Sequence, residues 1–267
     1  MRDEETVPLG LAEKSHLKMG KLHSIGALFA ILALGLAVRV SNFRGVFVGS
    51  ETFLLDTDPY YHLRRAWLTA THYPHVPSFD YYVNFPEGAP ILWPPGFDFL
   101  IATLARLYSQ GAPTLDQTAQ VAVWVPIVFA LLTVLTVFFA AREAFGKRAG
   151  LVAALFVSLV ELFRRYSDLG YVDHHCAEIF FYSLVLCLLL QSLRVPKGAP
   201  FAVAGGASLA AGHLFGTSGI LPGVLLTAAA LFVAAAGWRE VQRQDDGTSI
   251  LSRTTLLIGS ASIFYLP

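Results

Sequence analysis

Long apolar runs separated by short basic clusters set the layout of this chain. His23 to Val40, Val121 to Ala141, Ala149 to Phe163, Ala177 to Leu193, Phe201 to Phe215 and Ile220 to Ala236 are the clear ones. Each approaches the ~20 residues an α-helix needs to cross a bilayer. A further apolar segment starts near Leu256 and runs to Pro267. The pattern predicts an all-α polytopic membrane protein with about six to seven spanning helices. Composition agrees: 55% of the 267 residues are hydrophobic and 14% charged, and the mean hydropathy is +0.56. Soluble domains carry about a quarter charged residues.

The positions of the cations orient the spans. Arg142, Lys147 and Arg148 follow the second run, Arg194 and Lys197 the fourth, and Arg239, Arg243 and Arg253 the sixth. Positively charged loops stay in the cytoplasm. Residues 1–22 then read as a cytoplasmic tail, and 23–267 as membrane domain. The first run ends in Arg39 rather than in a small-residue cleavage site, so it reads as an uncleaved anchor with Arg39 snorkelling to the outer surface. Ile91 to Tyr108 is apolar but holds Pro94, Pro95, Gly96, Asp98 and Arg106. Letting it cross would put the basic loops outside, so it reads as an interfacial helix. Residues 41–117 become one long first external loop and 164–176 a second, on the outer face of a multi-pass cell-membrane protein. Zero net charge argues against nucleic acid as a partner. Cys176 and Cys187 on one helix would lie about 16 Å apart, too far for a disulfide.

Chemistry gathers in those two loops. In the first, Asp56 and Asp58 stand two residues apart, and an extended backbone would turn both to one cation. Pro59 favours extended geometry at Asp58, making it an N-cap with Pro59 as first helical residue. The helix would then align Tyr60, Leu63, Trp67 and Thr71 on one face. A plain Asx-Pro helix start is the alternative reading. In the second loop, Asp173 and His175 repeat the two-residue spacing, beside His174 and Glu178. A carboxylate with an imidazole can hold a divalent cation, Mg²⁺ or Mn²⁺, the imidazole tilting the choice to Mn²⁺. Here the alternative is Asp173 as the cap of the following helix, with the histidines at the interface.

Asp56-Thr57-Asp58-Pro59-Tyr60-Tyr61-His62-Leu63-Arg64, then Asn84-Phe85-Pro86-Glu87-Gly88 and Trp93-Pro94-Pro95-Gly96-Phe97-Asp98, closely resembles the catalytic subunit of oligosaccharyltransferase, nearest its single-subunit archaeal form. Gly170-Tyr171-Val172-Asp173-His174-His175 with Glu178 resembles that family's second motif. The resemblance implies a glycosyltransferase fold of the C type. It implies transfer of a glycan from a polyprenyl phosphate or pyrophosphate carrier to the asparagine of an Asn-x-Ser/Thr sequon in an acceptor polypeptide. By resemblance, Asp58 binds the metal and engages the acceptor amide, Asp173 and His175 complete the metal set, and Asp56 supports the first site. Carboxylates on the amide hydrogens and a metal at the leaving phosphate suit a nucleophile this poor.

Arg64 and Arg65, like Arg164 and Arg165, can meet lipid phosphates; the alternative for the last two is pairing with Glu161. His213 reads as a packing histidine, and Gly205 and Gly206 as sites of close helix contact. The family adds a later acidic ligand and a Trp-Trp-Asp motif that this sequence lacks. The expectation is therefore a truncated domain: a fragment, one half of a split enzyme needing a second chain, or an inactive relic. A protein O-mannosyltransferase-like enzyme and a membrane scaffold or transporter are the rival classes. The latter predicts polar groups at broken helices in mid-membrane, whereas here they gather at one surface.

Overall fold

The computed structural model describes residues 21–194 and 198–216. Most of the tail, Lys197, the Ile220–Ala236 run, the segment from Leu256 and the cations at 239, 243 and 253 lie outside the described residues. Helix α1 spans Lys21–Arg39 and α2 Phe43–Val46; a small hairpin follows, β1 Phe47–Val48 and β2 Glu51–Thr52. Then come α3 (Asp58–Thr71), a second hairpin of β3 (Phe79–Asp80) and β4 (Ala89–Pro90), α4 (Gly96–Ser109) and α5 (Leu115–Ala122). The rest is α6 (Val125–Phe145), α7 (Lys147–Leu159), α8 (Glu161–Arg165), α9 (His175–Arg194) and α10 (Ala199–His213).

Among the described residues, three helical stretches are long and apolar enough to cross a membrane: His23–Val46, Leu115–Phe145 and His175–Arg194. The second is longer than the run expected from Val121, because α5 leads into α6 after a short break at Val123 and Trp124. The third expected run is interrupted. Val160 takes extended angles (φ −60°, ψ 123°), ending α7 and starting α8, so Ala149 to Phe163 is two helices. Helix α4 begins only at Gly96, after the Pro94-Pro95 pair, because a residue preceding proline is pushed out of the α region. It buries Phe97, Asp98, Ile101, Ala102 and Ala105 against α3 and α5.

Helix α6 is the hub, packed on α7 and on α9, with α1 along α7 and α10 along α9. At the α6–α7 crossing a Cβ on Gly150 would stand 2.8 Å from the Phe138 carbonyl oxygen, so only glycine permits that approach. Gly205 and Gly206 are buried on α10, and His213 bonds the Leu209 carbonyl (2.9 Å). Cys176 and Cys187 are free and buried on α9.

Arg39 corrects the sequence reading. It does not snorkel; it is 0% exposed. Its guanidinium donates to Ser167 Oγ (2.9 Å), Gly35 O (3.1 Å) and Ser158 O (3.0 Å) and lies over the Phe163 ring. Three acceptors from α1, α7 and the loop after α8 outweigh the reach to water. The main apolar core lies at the same end of the bundle, joining Leu63, Phe97, Ala122, Val125, Leu169 and Val172. It seats α3 and α4 on the starts of α6 and α9.

A candidate metal and substrate site between α3 and α9

A backbone contact ties the loop before α3 to the loop before α9, and the Asn42 side chain at the start of α2 binds the same loop. Leu55 N–H donates to Gly170 O (3.0 Å), and Asn42 donates to Leu169 O (2.9 Å). Gly170 has φ +86°, the left-handed region that favours glycine. Leu55 lies three residues before Asp58, and Gly170 three before Asp173. That link brings the two acidic motifs to one place.

Asp58, Tyr61 and His62 stand at i, i+3 and i+4 on α3, so one face presents all three. With Thr57, Trp93, His174 and His175 they line a cavity of about 580 Å³. Asp173 lies beneath its floor, 2% exposed. Asp173 Oδ2 is 3.9 Å from His175 Nε2, and Oδ1 is 2.9 Å from His174 Nδ1 and 3.7 Å from His62 Nε2. Burial pushes the Asp173 carboxyl up, but the imidazoles of His174, His175 and His62 outweigh it, and the net direction is below the usual carboxylate range. His175, half-buried at the start of α9, is oriented by Glu178, whose Oε2 is 2.9 Å from Nδ1. Asp58 is near enough to act electrostatically on His175. Burial pushes the Tyr61 and Tyr171 phenols up to about 12.

Several details differ from the sequence reading. Asp56 is not extended: its φ is +73°, and its carboxylate is turned back to Thr57 N (2.7 Å). The alternate-residue argument therefore fails for Asp56 and Asp58, since a left-handed residue breaks the strand. Asp58 is the first helical residue rather than the cap, Thr57 preceding it in αR geometry. The buried face of α3 is Pro59, His62, Leu63, Ala66 and Ala70, while Tyr60 is exposed, because α4 and the core lie on the His62 side. Arg64 is paired with Asp80 and stacked over Tyr82. Arg65 is buried, donating to Asp98 Oδ2 (2.9 Å) and Trp93 O (3.0 Å). Both guanidiniums are held by carboxylates of their own fold, which leaves the expected phosphate role without support. Arg164 pairs with Glu161 (2.8 Å) and Asp168 (2.5 Å).

Sequence reasoning gave no role to His62 and Asp98. His62 Nδ1 stands 2.7 Å from Asp98 Oδ1, both buried, and Nε2 stands 3.1 Å from His174 Nδ1. The one available signal was spacing, since a residue four after Asp58 on a helix returns to the same face. A larger recess of about 710 Å³ among Phe47, Leu104, Trp124 and Val128 holds no titratable side chain except Tyr108 and carries no such chemistry.

Membrane-length helices with carboxylates and imidazoles converging at their ends define a class: a polytopic membrane protein with a polar site at one helix-end layer. Residues 27–240 match the family described as Oligosaccharyl transferase STT3, N-terminal, and the chain belongs to that family. Dolichyl-phosphooligosaccharide-protein glycotransferase 2 of Archaeoglobus fulgidus is 30% identical over 180 residues, covering 66% of this chain and 29% of the relative. Dolichyl-monophosphooligosaccharide–protein glycotransferase AglB of Haloferax volcanii is 27% identical over 175 residues, covering 65% of this chain and 17% of the relative. The chain thus spans less than a third of the length of these relatives. The apo crystal structure of the A. fulgidus oligosaccharyltransferase superposes with a TM-score of 0.74 at 21% identity, over 91% of this chain and 33% of that one. Its complex with Zn and sulfate gives 0.72 at 22% identity, over 89% and 34%.

Proposed function

We propose that this chain supplies the metal-holding and acceptor-activating part of an oligosaccharyltransferase that moves a glycan from a polyprenyl-(pyro)phosphate carrier to the asparagine of Asn-x-Ser/Thr sequons. The observation that carries this reading is the shared cavity: Asp58 from α3 and His175 from α9 line it, with buried Asp173 3.9 Å behind the His175 ring. Relatives support the substrates. One solved archaeal AglB holds an inhibitory peptide and a dolichol-phosphate, and an A. fulgidus enzyme is tethered to a peptide containing the NVT sequon. Residues 41–117 and 164–176 are then the external loops, the helices sit in the cell membrane, and a lipid-linked glycan and a sequon-bearing polypeptide are the partners.

The donor set fits a divalent ion. Asp173 Oδ2 and His175 Nε2 are 3.9 Å apart, a separation that two oxygen or nitrogen ligands of one octahedral ion span at about 3–4 Å. Asp173 Oδ1 is a buried oxygen with no hydrogen bond. Asp58, Asp173 and His175 would hold Mn²⁺ or Mg²⁺, the imidazole favouring Mn²⁺. When bound, the ion supplies Lewis-acid stabilisation at the leaving phosphate. Asp58 accepts an N–H of the acceptor amide and fixes that group for attack. Glu178 holds the His175 ring by Nδ1, leaving Nε2 to face Asp173.

The test is glycan transfer to a sequon peptide by membranes holding these residues together with the remaining length of the relatives, in added Mn²⁺, beside a Mn²⁺ titration of the chain. Asp58→Ala and Asp173→Ala are each expected to weaken Mn²⁺ binding at least tenfold and to abolish transfer. Unchanged Mn²⁺ affinity in both variants would remove the reading.

A further inference from the structure

We propose that His62, His174 and Asp173 form a second, inner site for a divalent transition-metal ion of the zinc class. This ion is distinct from the one between Asp58 and His175. The proposal rests on the reading above only for the Asp173 carboxylate, whose Oδ2 faces the outer ion and whose Oδ1 faces the inner one.

Geometry is the first support. His62 Nε2, His174 Nδ1 and Asp173 Oδ1 form a triangle with sides of 3.1, 3.7 and 2.9 Å. Ligands about 2.0–2.1 Å from a tetrahedral zinc stand about 3.3–3.4 Å from one another. Three donors, one from α3 and two from the loop before α9, all buried, therefore already occupy one face of a tetrahedron.

The second support is a count of lone pairs and protons. Asp98 sits at His62 Nδ1, so the ring donates there and turns an unprotonated Nε2 to the triangle. His174 has one proton to offer from Nδ1, and two acceptors face it, His62 Nε2 and Asp173 Oδ1. One proton cannot serve both, so one buried acceptor of the pair is left without a donor, and Asp173 Oδ1 has none besides His174. A buried carboxylate oxygen with nothing to accept is costly. A cation at the centre of the triangle, with the His174 proton moved to its Nε2, takes all three lone pairs at once.

The surroundings match those of a built site. A metal-bound histidine commonly gives its other N–H to a carboxylate, and Asp98 does this for His62. Asp98 is itself fixed by Arg65 Nη1 at 2.9 Å, and Arg65 by the Trp93 carbonyl oxygen. Two imidazoles and one carboxylate, buried away from bulk water, favour zinc-class ions over strongly hydrated Mg²⁺. His62 and His174 also line the 580 Å³ cavity, which gives an ion its way in and leaves the fourth position open to it.

The experiment counts metal on chelator-stripped, detergent-purified chain after dialysis against Zn²⁺, with the coordination read by zinc-edge X-ray absorption. Wild type is expected to retain two equivalents, and His62→Phe one. The double variant Asp58→Asn/His175→Asn leaves the inner donors untouched and is expected to keep one equivalent with two imidazoles in its coordination shell. That double variant decides the matter even if His62→Phe fails to fold. No zinc on it, or zinc with fewer than two imidazoles, overturns the inner site. If it binds as much zinc as wild type, the outer site fails and the inner one stands. Asp98→Asn is expected to weaken inner-site zinc binding 10- to 100-fold.

Discussion

Replacing Gly170 by alanine tests the joint that brings the two acidic motifs together. The residue has φ +86°, and its carbonyl accepts the Leu55 N–H at 3.0 Å. A Cβ there would stand 2.9 Å from Val46 Cγ2, 3.4 Å from Phe53 O and 3.6 Å from Leu55 Cγ. Val46 is completely buried, so its methyl has nowhere to go. A non-glycine residue in left-handed geometry costs about 1–2 kcal/mol. Overpacking in a filled core adds about 1–3 kcal/mol, giving about 2–5 kcal/mol together. Gly49 is the internal control, since it too has positive φ (+64°) but open space where its Cβ would lie. Gly49→Ala should therefore lose only the conformational part, about 1–2 kcal/mol.

The assay is thermal unfolding of both variants in detergent, together with Mn²⁺ titration. At roughly 2–4 °C per kcal/mol for a chain of this size, Gly170→Ala should melt about 4–20 °C below wild type and clearly below Gly49→Ala. Its Mn²⁺ affinity should also fall, because Leu55 and Gly170 carry Asp58 and Asp173. A Gly170→Ala protein that melts with Gly49→Ala and binds Mn²⁺ like wild type would refute the argument that this contact holds the site together.

Four shorter predictions follow from neighbouring features. Arg39→Lys keeps the charge but cannot serve Ser167, Gly35 and Ser158 together, so it should cost about 2–4 kcal/mol by thermal unfolding. Thr114→Ala removes one half of the capping box with Gln117 at the start of α5 and should cost about 1 kcal/mol by the same measurement. Asp98→Asn leaves the buried Arg65 guanidinium without its carboxylate and should cost about 3–5 kcal/mol. Tyr61 and Tyr171 have phenols raised from about 10 to about 12. Their contribution is intact below about pH 10 and is lost as pH rises through about 12, because the unfolded chain gives up those protons first. Ultraviolet titration should show both still protonated at pH 11, and replacing both by Phe should reduce the alkaline loss of stability.

The sequence made the helical class legible because spanning helices must be apolar over nearly their whole length, a signal that composition alone carries. Breaks within the runs were harder to read. Val160 interrupts Ala149 to Phe163 with no proline or glycine beside it. Its extended angles coincide with the Arg39 clamp, whose Nη1 holds the Ser158 carbonyl two residues earlier, a tertiary contact that local propensity does not contain. Arg39 itself misled for the same reason. A cation at a helix end snorkels by default, unless acceptors from elsewhere in the fold enclose it.

The site divides along the same line. Asp58, Asp173 and His175 stand out as candidates because each sits in a short motif whose residue types suit a cation. The layer behind them does not: Asp98 and His62 are 36 residues apart in the chain, and His62 and His174 are 112 apart. Pairing at such distances is set by how α3, α4 and α9 pack, which no spacing rule records. This layer fixes the buried side of the cavity. Arg65 and Asp98 are charges that a core would exclude unless paired, and together they fix which nitrogen of His62 carries a proton. That tautomer makes Nε2 an acceptor, which competes with the Asp173 carboxylate oxygen for the single His174 Nδ1 proton. The two carboxylates of the surface motifs can thus be found by reading along the chain, but the coordination they offer depends on buried partners that only the folded packing brings to them.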